Sequence, residues 1–434
     1  MNGEALLEQL EPLMDPHCGL VRPPLRMGFP LSYGAYLHAY TAPTGRIEHL
    51  HPGPVAAAES TTELWGYGTA LDDVTARIRA VCEGVERYCS VMYPTQTLEA
   101  TARQLGDTGL DCHRLPRCSK REESLARGEH RLRTPDPDRP ERWVLGYSLT
   151  RDAPVWVPLS VAYLGLPLPL TDHLVFPEST GFATGTSYRA AVSSALCEVI
   201  ERDSVALWWL HQLPVPRIDP MTIDDHSLNE LVARTRRVGI ESTVLDLTTD
   251  VGVPVAGLIQ TSRSGPPHAL VAAACRTNMV AAIRRVFEEA GSLRIGLQPG
   301  AGSGADVRGG EPASPSDFGL LYAGRDGPGR FAFVSGGPPT SDATTEVGGT
   351  DQLATMVAGL AAMDAEVLAV DVTLPEVRAF GLVVVRVIVP ELMRISFCHS
   401  IRYLGHPRLY EAPMRMSYST GTEESITDDP HPFA

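Results

Sequence analysis

The stretch Cys-Glu-x-(Val/Ile)-Glu-Arg occurs twice, as Cys82-Glu83-Gly84-Val85-Glu86-Arg87 and as Cys197-Glu198-Val199-Ile200-Glu201-Arg202. Carboxylates at positions i and i+3 leave one face of a helix together, and the arginine that follows can hold an anion beside them. Two such helices meeting across a cleft would bring Glu83, Glu86, Glu198 and Glu201 into a cage suited to a hard cation such as Mg2+, with Arg87 and Arg202 left for phosphates. One isolated copy is ordinarily a solvated helix face. The pair differs because each copy is embedded in apolar residues, Val85 and Tyr88 around the first and Leu196, Ile200, Trp208 and Trp209 around the second. Charges in such surroundings are costly unless paired or metal-bound. A third segment, Arg284 to Arg294, again joins carboxylates, Glu288 and Glu289, to arginines.

The elements that must position these groups follow from periodicity. Val74, Ile78, Val81, Val85 and Tyr88 recur at spacings of three and four, which predicts an amphipathic helix from Leu71 to Met92, with Asp72 and Asp73 in its first turn. Ser187 is the expected N-cap of a helix from Tyr188 to Leu210, whose buried stripe includes Ala191, Ala195, Val199 and Ile200. A third helix is expected over 278–293. Gly66-Tyr67-Gly68 and Gly181 to Gly185 precede the first two helices as glycine turns; neither is followed by the Gly-Lys-Ser/Thr of a P-loop. Residues 155–163, 175–176, 241–247, 253–259, 268–274, 366–372 and 382–389 read as strands, and 350–363 as a helix. Strands alternating with helices indicate an α/β core of mixed sheets packed with helices. Residues 119–143 read as a solvated charged loop, 299–317 and 336–349 as loops, and the last thirty residues as an extended, exposed tail. The expected organisation is an N-terminal lead-in over 1–64 and one domain over 65–434.

With 434 residues and a net charge of −15, the chain is not built as a general nucleic-acid or anionic-membrane binder, although Arg114, Arg117, Lys120 and Arg121 form a local basic cluster. A small-molecule or peptide substrate is expected. The acidic N-terminus lacks the basic and apolar regions of a secretory signal, and the most apolar stretch, 155–170, is broken by Pro158, Pro167 and Pro169, so no membrane span is expected. Eight scattered cysteines without a CxxC pair fit reduced thiols and a cytoplasmic location. Cys112, His113 and Cys118 could be half of a metal site, with no second half visible.

Taken in order, Gly-x-Gly-Thr with Glu83-x-x-Glu86-Arg87-Tyr88, then Ser194-x-x-x-Glu198-x-x-Glu201-Arg202-Asp203 with Trp208-Trp209, then Ala282, Arg285, Glu289 and Arg294, the chain resembles the YcaO superfamily. Arg402-Tyr-Leu-Gly405-His-Pro-Arg408 and the ending Pro430-His-Pro432-Phe-Ala434 are similar to the D proteins of azole-forming cyclodehydratases, whose tails carry Pro-x-Pro-x-Pro.

The resemblance implies a YcaO-type ATP-binding fold in which Glu83, Glu86, Glu198 and Glu201 form the Mg2+ and nucleotide shell with Glu289 added. Arg87, Arg202 and Arg294 would contact phosphates or orient carboxylates, Ser194 would hydrogen-bond nucleotide, and the tail with Pro432 and Ala434 would enter the active site. It implies ATP-driven ring closure on a ribosomally made precursor peptide, a Cys, Ser or Thr side chain attacking the preceding carbonyl to give an azoline. Implied partners are that peptide, a separate E1-like leader-binding protein, a flavin dehydrogenase and a second copy of the chain. Other branches of the superfamily form thioamides or macrocyclic amidines, and a non-catalytic partner subunit is a third reading. The chain departs from the family pattern at Arg79 (often Ser), Tyr67 (often Lys), Ser292 (usually Gln) and the final Ala434 (usually Pro).

Overall fold

The computed structural model describes residues 2–28, 37–45, 64–125, 131–301, 312, 314–338, 342–419 and 421–433. Strands β1 (Leu25–Arg26), β2 (His38–Pro43) and β3 (Trp65–Ala70) form a small sheet in that order, so a strand from before residue 64 pairs with one after it. Strands β4 (Leu98–Thr101), β5 (Pro140–Ser148), β6 (Ala153–Pro158) and β7 (Phe182–Gly185) belong to a second sheet. Strands β8 (Arg217–Ile218), β9 (Ile240–Asp246), β10 (Val255–Ser262) and β11 (Ala269–Cys275) build a third, ordered β11-β10-β9-β8. Strands β12 (Leu368–Asp371) and β13 (Val383–Ile388) then return to the second, giving the order β4-β5-β12-β13-β7 with β6 against β5. The α/β class holds, and every ladder between these strands is antiparallel.

Three long helices carry the candidate residues: α1 (Asp73–Val91), α2 (Tyr188–His211) and α3 (Met279–Ala301). Their starts are set by side chains that satisfy otherwise orphan N–H groups: Asp72 accepts from Thr75, Ser187 from Ala190 and Asn278 from Ala281. Each helix anchors its own apolar cluster. Val81 and Val85 of α1 pack with Leu10, Val157 and Val370; Leu196, Ile200, Trp208 and Trp209 of α2 with Val385 and Phe433; Ile283, Val286 and Phe287 of α3 with Leu258 and Leu270. Each fully buried aliphatic side chain contributes about 1.5–3 kcal/mol. Helix α1 lies directly on β3, because a Cβ on Gly66 or Gly68 would sit 2.2 Å from the Ala80 carbonyl oxygen or 2.0 Å from that of Ala76.

Several expectations are corrected. Residues 175–176 are not a strand; the strand is β7, drawn from the small residues that looked like a turn, and Gly181 before it has φ +86°. The expected loop over 119–143 contains a helix, Lys120–Leu125, and the start of β5; residues 126–130 lie outside the described residues. Strand β6 ends at Pro158 and a short helix, Leu159–Ala162, follows. Most of 302–313 and 339–341 in the two expected loops also lie outside, and α3 continues to Ala301. The last thirty residues are neither uniformly extended nor exposed: Arg408–Arg415 is a helix, and Ile426 and Phe433 are buried.

That C-terminal helix is tied to α2 by a buried ion pair. Both oxygens of Asp203 lie 2.6 Å from Arg408, through Nε and Nη2, and Asp203 also accepts the Met393 N–H at 2.8 Å. Removing one partner of such a pair leaves a buried charge uncompensated. Arg408→Ala is therefore expected to lower unfolding free energy by about 3–5 kcal/mol. A loss below about 1 kcal/mol in urea denaturation would refute this account of the pair.

Candidate active site

The site begins at the open edge of β3. The Tyr67 N–H donates to Glu83 Oε2 at 3.2 Å, and Glu83 Oε1 is 3.2 Å from Arg87 Nη2. Two residues along, the Thr69 carbonyl accepts from Arg79 and, at 3.2 Å, from Arg285 Nη1. Arg79 also pairs with the buried Glu288 at 2.5 Å, and Arg285 Nε lies 2.8 Å from Glu289. Helix α3 thus meets α1 through alternating charges around one strand edge. Burial holds the Glu86 carboxyl well above the usual carboxylate range; Arg87 opposes this, and Glu198 and Glu83 add to it.

The second copy of the motif is bonded at both carboxylates. Glu198 Oε2 accepts the Gly181 N–H at 3.1 Å, and Glu201 Oε2 accepts the Cys275 N–H at 3.1 Å. Arg202 spans the pair, 3.2 Å from Glu201 Oε1 and 3.6 Å from Glu198 Oε1. Burial raises Glu198 and pushes Glu201 up to about 8; Arg202 opposes both shifts, while Glu289 and Glu198 raise Glu201 further. For Arg202, burial is outweighed by Glu201, Glu198, Glu178 and Glu289, which strengthen its hold on the proton. The Glu198 charge also reaches Arg87 and Glu86, so both motif copies and the α3 acids act within one electrostatic unit.

The structure adds residues that the sequence reading missed. Arg386 on β13 is buried, 4.4 Å over the Phe182 ring, and donates to the Glu178 carbonyl at 3.0 Å. Burial and Arg394 push its guanidinium down to about 9, against Glu178, Glu198 and Glu86. Glu178 pairs with Arg394 and accepts the Thr180 N–H at 2.7 Å; burial would raise it, but Arg394 and Arg386 prevail and hold it below the usual range. A lone arginine inside the apolar run Val383–Ile388 was the available signal. Glu288 and Arg285, both in the third motif segment, gain in the fold the partners Arg79 and the Thr69 carbonyl.

The remaining candidates are placed as follows. Ser194 is exposed one turn before Glu198. Arg294 donates to the Pro267 carbonyl at 3.2 Å and to Gln260 Oε1 at 3.3 Å, on the β10–β11 hairpin side of α3. Pro432 is buried, and Ala434 lies outside the described residues. Among the described residues no three acidic, thiol or imidazole groups converge closely enough to enclose a metal ion, Cys112, His113 and Cys118 included. The oxygen-only donor set beside several arginines still fits Mg2+ bound with a polyphosphate, since Mg2+ takes one or two carboxylates and completes its shell with phosphate and water.

The tail approaches this unit from the far end of α2. Trp209 Nε1 donates to the Asp429 carbonyl at 3.1 Å, Tyr322 donates to that of Pro430, and the His431 ring stacks on Phe318 at 4.3 Å with Nε2 3.0 Å from the Ser396 carbonyl. Burial pushes His431 down to about 3, with Arg202 and His399 adding repulsion. A histidine whose folded value lies below its ordinary 6.5 contributes fully above that pH and is lost as pH falls toward the folded value. Urea midpoints are therefore expected to fall between pH 6.5 and about 3, and His431→Phe to remove up to ~1.4 kcal/mol of that loss per pH unit. An identical pH profile in the variant would contradict the assignment.

The family described as YcaO cyclodehydratase, ATP- and Mg2+-binding, matches residues 67–393, and the chain belongs to it. A heterocyclase solved in complex with substrate and cofactor superposes with a TM-score of 0.82 at 22% identity, over 100% of this chain and 57% of that one. The YcaO protein from Methanopyrus kandleri, bound with AMPPCP and Mg2+, gives 0.59 at 18% identity, with 91% of each chain covered. An uncharacterized protein from the tfuA 3′ region of Rhizobium leguminosarum bv. trifolii is 26% identical over 247 residues, 52% of this chain and 54% of that protein. The chain spans about half the length, or less, of the curated relatives it matches. No described helix is long and apolar enough to cross a membrane.

Proposed function

We propose that this chain is the ATP-dependent cyclodehydratase subunit of a peptide-modifying assembly, converting Cys, Ser or Thr residues of a ribosomal precursor peptide to azolines. The observation that carries the reading is that Arg79 pairs with Glu288 between α1 and α3, while the Glu198 and Glu201 charges of α2 act on Arg87 and Glu289 across the same space, in a chain of the YcaO family. Glu83, Glu86, Glu198 and Glu201, with Glu289, would share the contacts to Mg2+ and nucleotide, one or two carboxylates to a cation, since no three of them converge on one point; Arg87 and Arg202 would face phosphate, with Ser194 and Arg294 at the margins. Bound ATP supplies the phosphoryl group that makes an amide oxygen a competent leaving group. The protein's part is positioning and charge neutralisation, the terms that dominate phosphoryl transfer. Pro432 and Ala434 of the C-terminal segment would enter the site and place the substrate carbonyl.

We infer that the chain works in a complex with a separate E1-like protein that binds the leader. We assign to the same system a flavin dehydrogenase, a homodimeric state and a cytoplasmic location. The test is mass spectrometry of a candidate precursor peptide rich in Cys, Ser and Thr, incubated with the chain, its partner and Mg-ATP. Loss of one water per modified residue, matched by phosphate release, is expected. An unchanged mass, or exchange of oxygen for sulfur, would reject azoline formation.

A further inference from the structure

A groove of about 680 Å³, solvent included, lies between residues 112–123 and 131–135, with Leu174 and Ser400 on its far wall. None of the motif carboxylates lines it. Three arginines do: Arg117, Arg131 and Arg133. The Arg133 side chain is 9% exposed; its Nη2 lies 2.5 Å from Glu141 and its Nε donates to the Asp172 carbonyl, yet its Nη1 is buried with no hydrogen-bond partner among the described residues. Arg117 Nη1 donates to the His113 carbonyl at 3.1 Å, and neither it nor Arg131 has a carboxylate partner among the described residues. The acids facing them are Glu122 and Glu123. Glu122 is occupied, its oxygens accepting the N–H groups of Ser119, Arg402 and Leu404. In a chain of net charge −15, an arginine-lined groove with apolar walls at Leu115, Leu132 and Leu174 selects a ligand that is both acidic and apolar.

Leu115 and Pro116 also line a second, much smaller space, with room for about one water, whose other walls include Thr180, Val199 and Arg394. Thr180 precedes Gly181, whose N–H holds Glu198, and Arg394 pairs with Glu178. The groove therefore shares the Leu115–Pro116 wall with the side of the fold that holds Glu198.

We propose that this groove binds an acidic, partly apolar segment of the peptide substrate, outside the residues that are modified. The proposal rests on the peptide-modifying reading above. It is tested with the full-length chain and a short fluorescein-labelled peptide of alternating Glu and Leu, alongside its Gln-for-Glu counterpart, by fluorescence anisotropy. The acidic peptide is expected to bind at least about tenfold more tightly than the neutral one, and the double variant Arg117→Glu/Arg131→Glu to lose that margin. Melting temperature and Mg-ATP binding by calorimetry should match the wild type in the same variant. Equal binding of both peptides, or full acidic-peptide affinity in the charge-reversed variant, would overturn the proposal. Failure of Mg-ATP to bind the wild type would instead strike the nucleotide reading, so the two can fail separately.

Discussion

Glu201→Ala is expected to lower ATP-dependent peptide turnover by about 10²-fold or more, the effect of losing a preorganised charge at a reacting site. Glu201 joins two layers, since one oxygen accepts from Cys275 at the end of β11 and the other faces Arg202 on its own helix. Alanine removes both contacts and leaves Arg202 short of a counter-charge, so a stability loss approaching 3–5 kcal/mol should accompany the loss of rate. Assayed above pH 8, where the wild-type carboxyl is ionised, Glu201→Gln separates the two effects, because the amide oxygen can still accept the Cys275 N–H while the charge is gone. It should melt close to wild type and remain as slow as alanine. Turnover within about threefold of wild type in Glu201→Gln would remove this carboxylate from the mechanism.

Ending the chain after Asp429 should also reduce turnover by about 10²-fold, while far-ultraviolet circular dichroism stays native. The deletion removes His431 from its stack on Phe318, Phe433 from the edge of Trp208 and the Pro430 carbonyl from Tyr322. These contacts involve residues at the end of α2 and of the helix Pro315–Ala323, so misplacement by an ångström near Arg202 is the expected result, a displacement that typically costs about this much in rate. Global unfolding should soften less than the buried area suggests, because a terminal segment can detach as a local unit. Full activity of the shortened chain would show the tail to be packing alone.

The helices carrying the candidate residues were legible because their information is local. Asp72 and Ser187 mark starts, and the spacing of Val81, Val85, Ala195 and Val199 fixes the buried faces. What the sequence could not show are partnerships formed across the chain. Arg79 stood out as a departure from the family, and only the fold supplies Glu288, 209 positions away. Glu178, Arg386 and Arg394 come from a loop, a strand and the segment after it, and no spacing links them. Strand β7 escaped because its small residues suit a close approach to α2 more than they advertise β structure. The tail looked solvated from its prolines and acids, but its aromatic residues decide its burial.

The bonds along β3 have a meaning apart from chemistry. Among the described strands β3 is an edge, and an open edge offers N–H and C=O groups to any strand of another molecule. Here Glu83 occupies the Tyr67 N–H while Arg79 and Arg285 occupy the Thr69 carbonyl, so charged side chains stand where a foreign strand would dock. The side chains that knit α1 and α3 to this strand thereby also guard it against edge-to-edge pairing with another molecule.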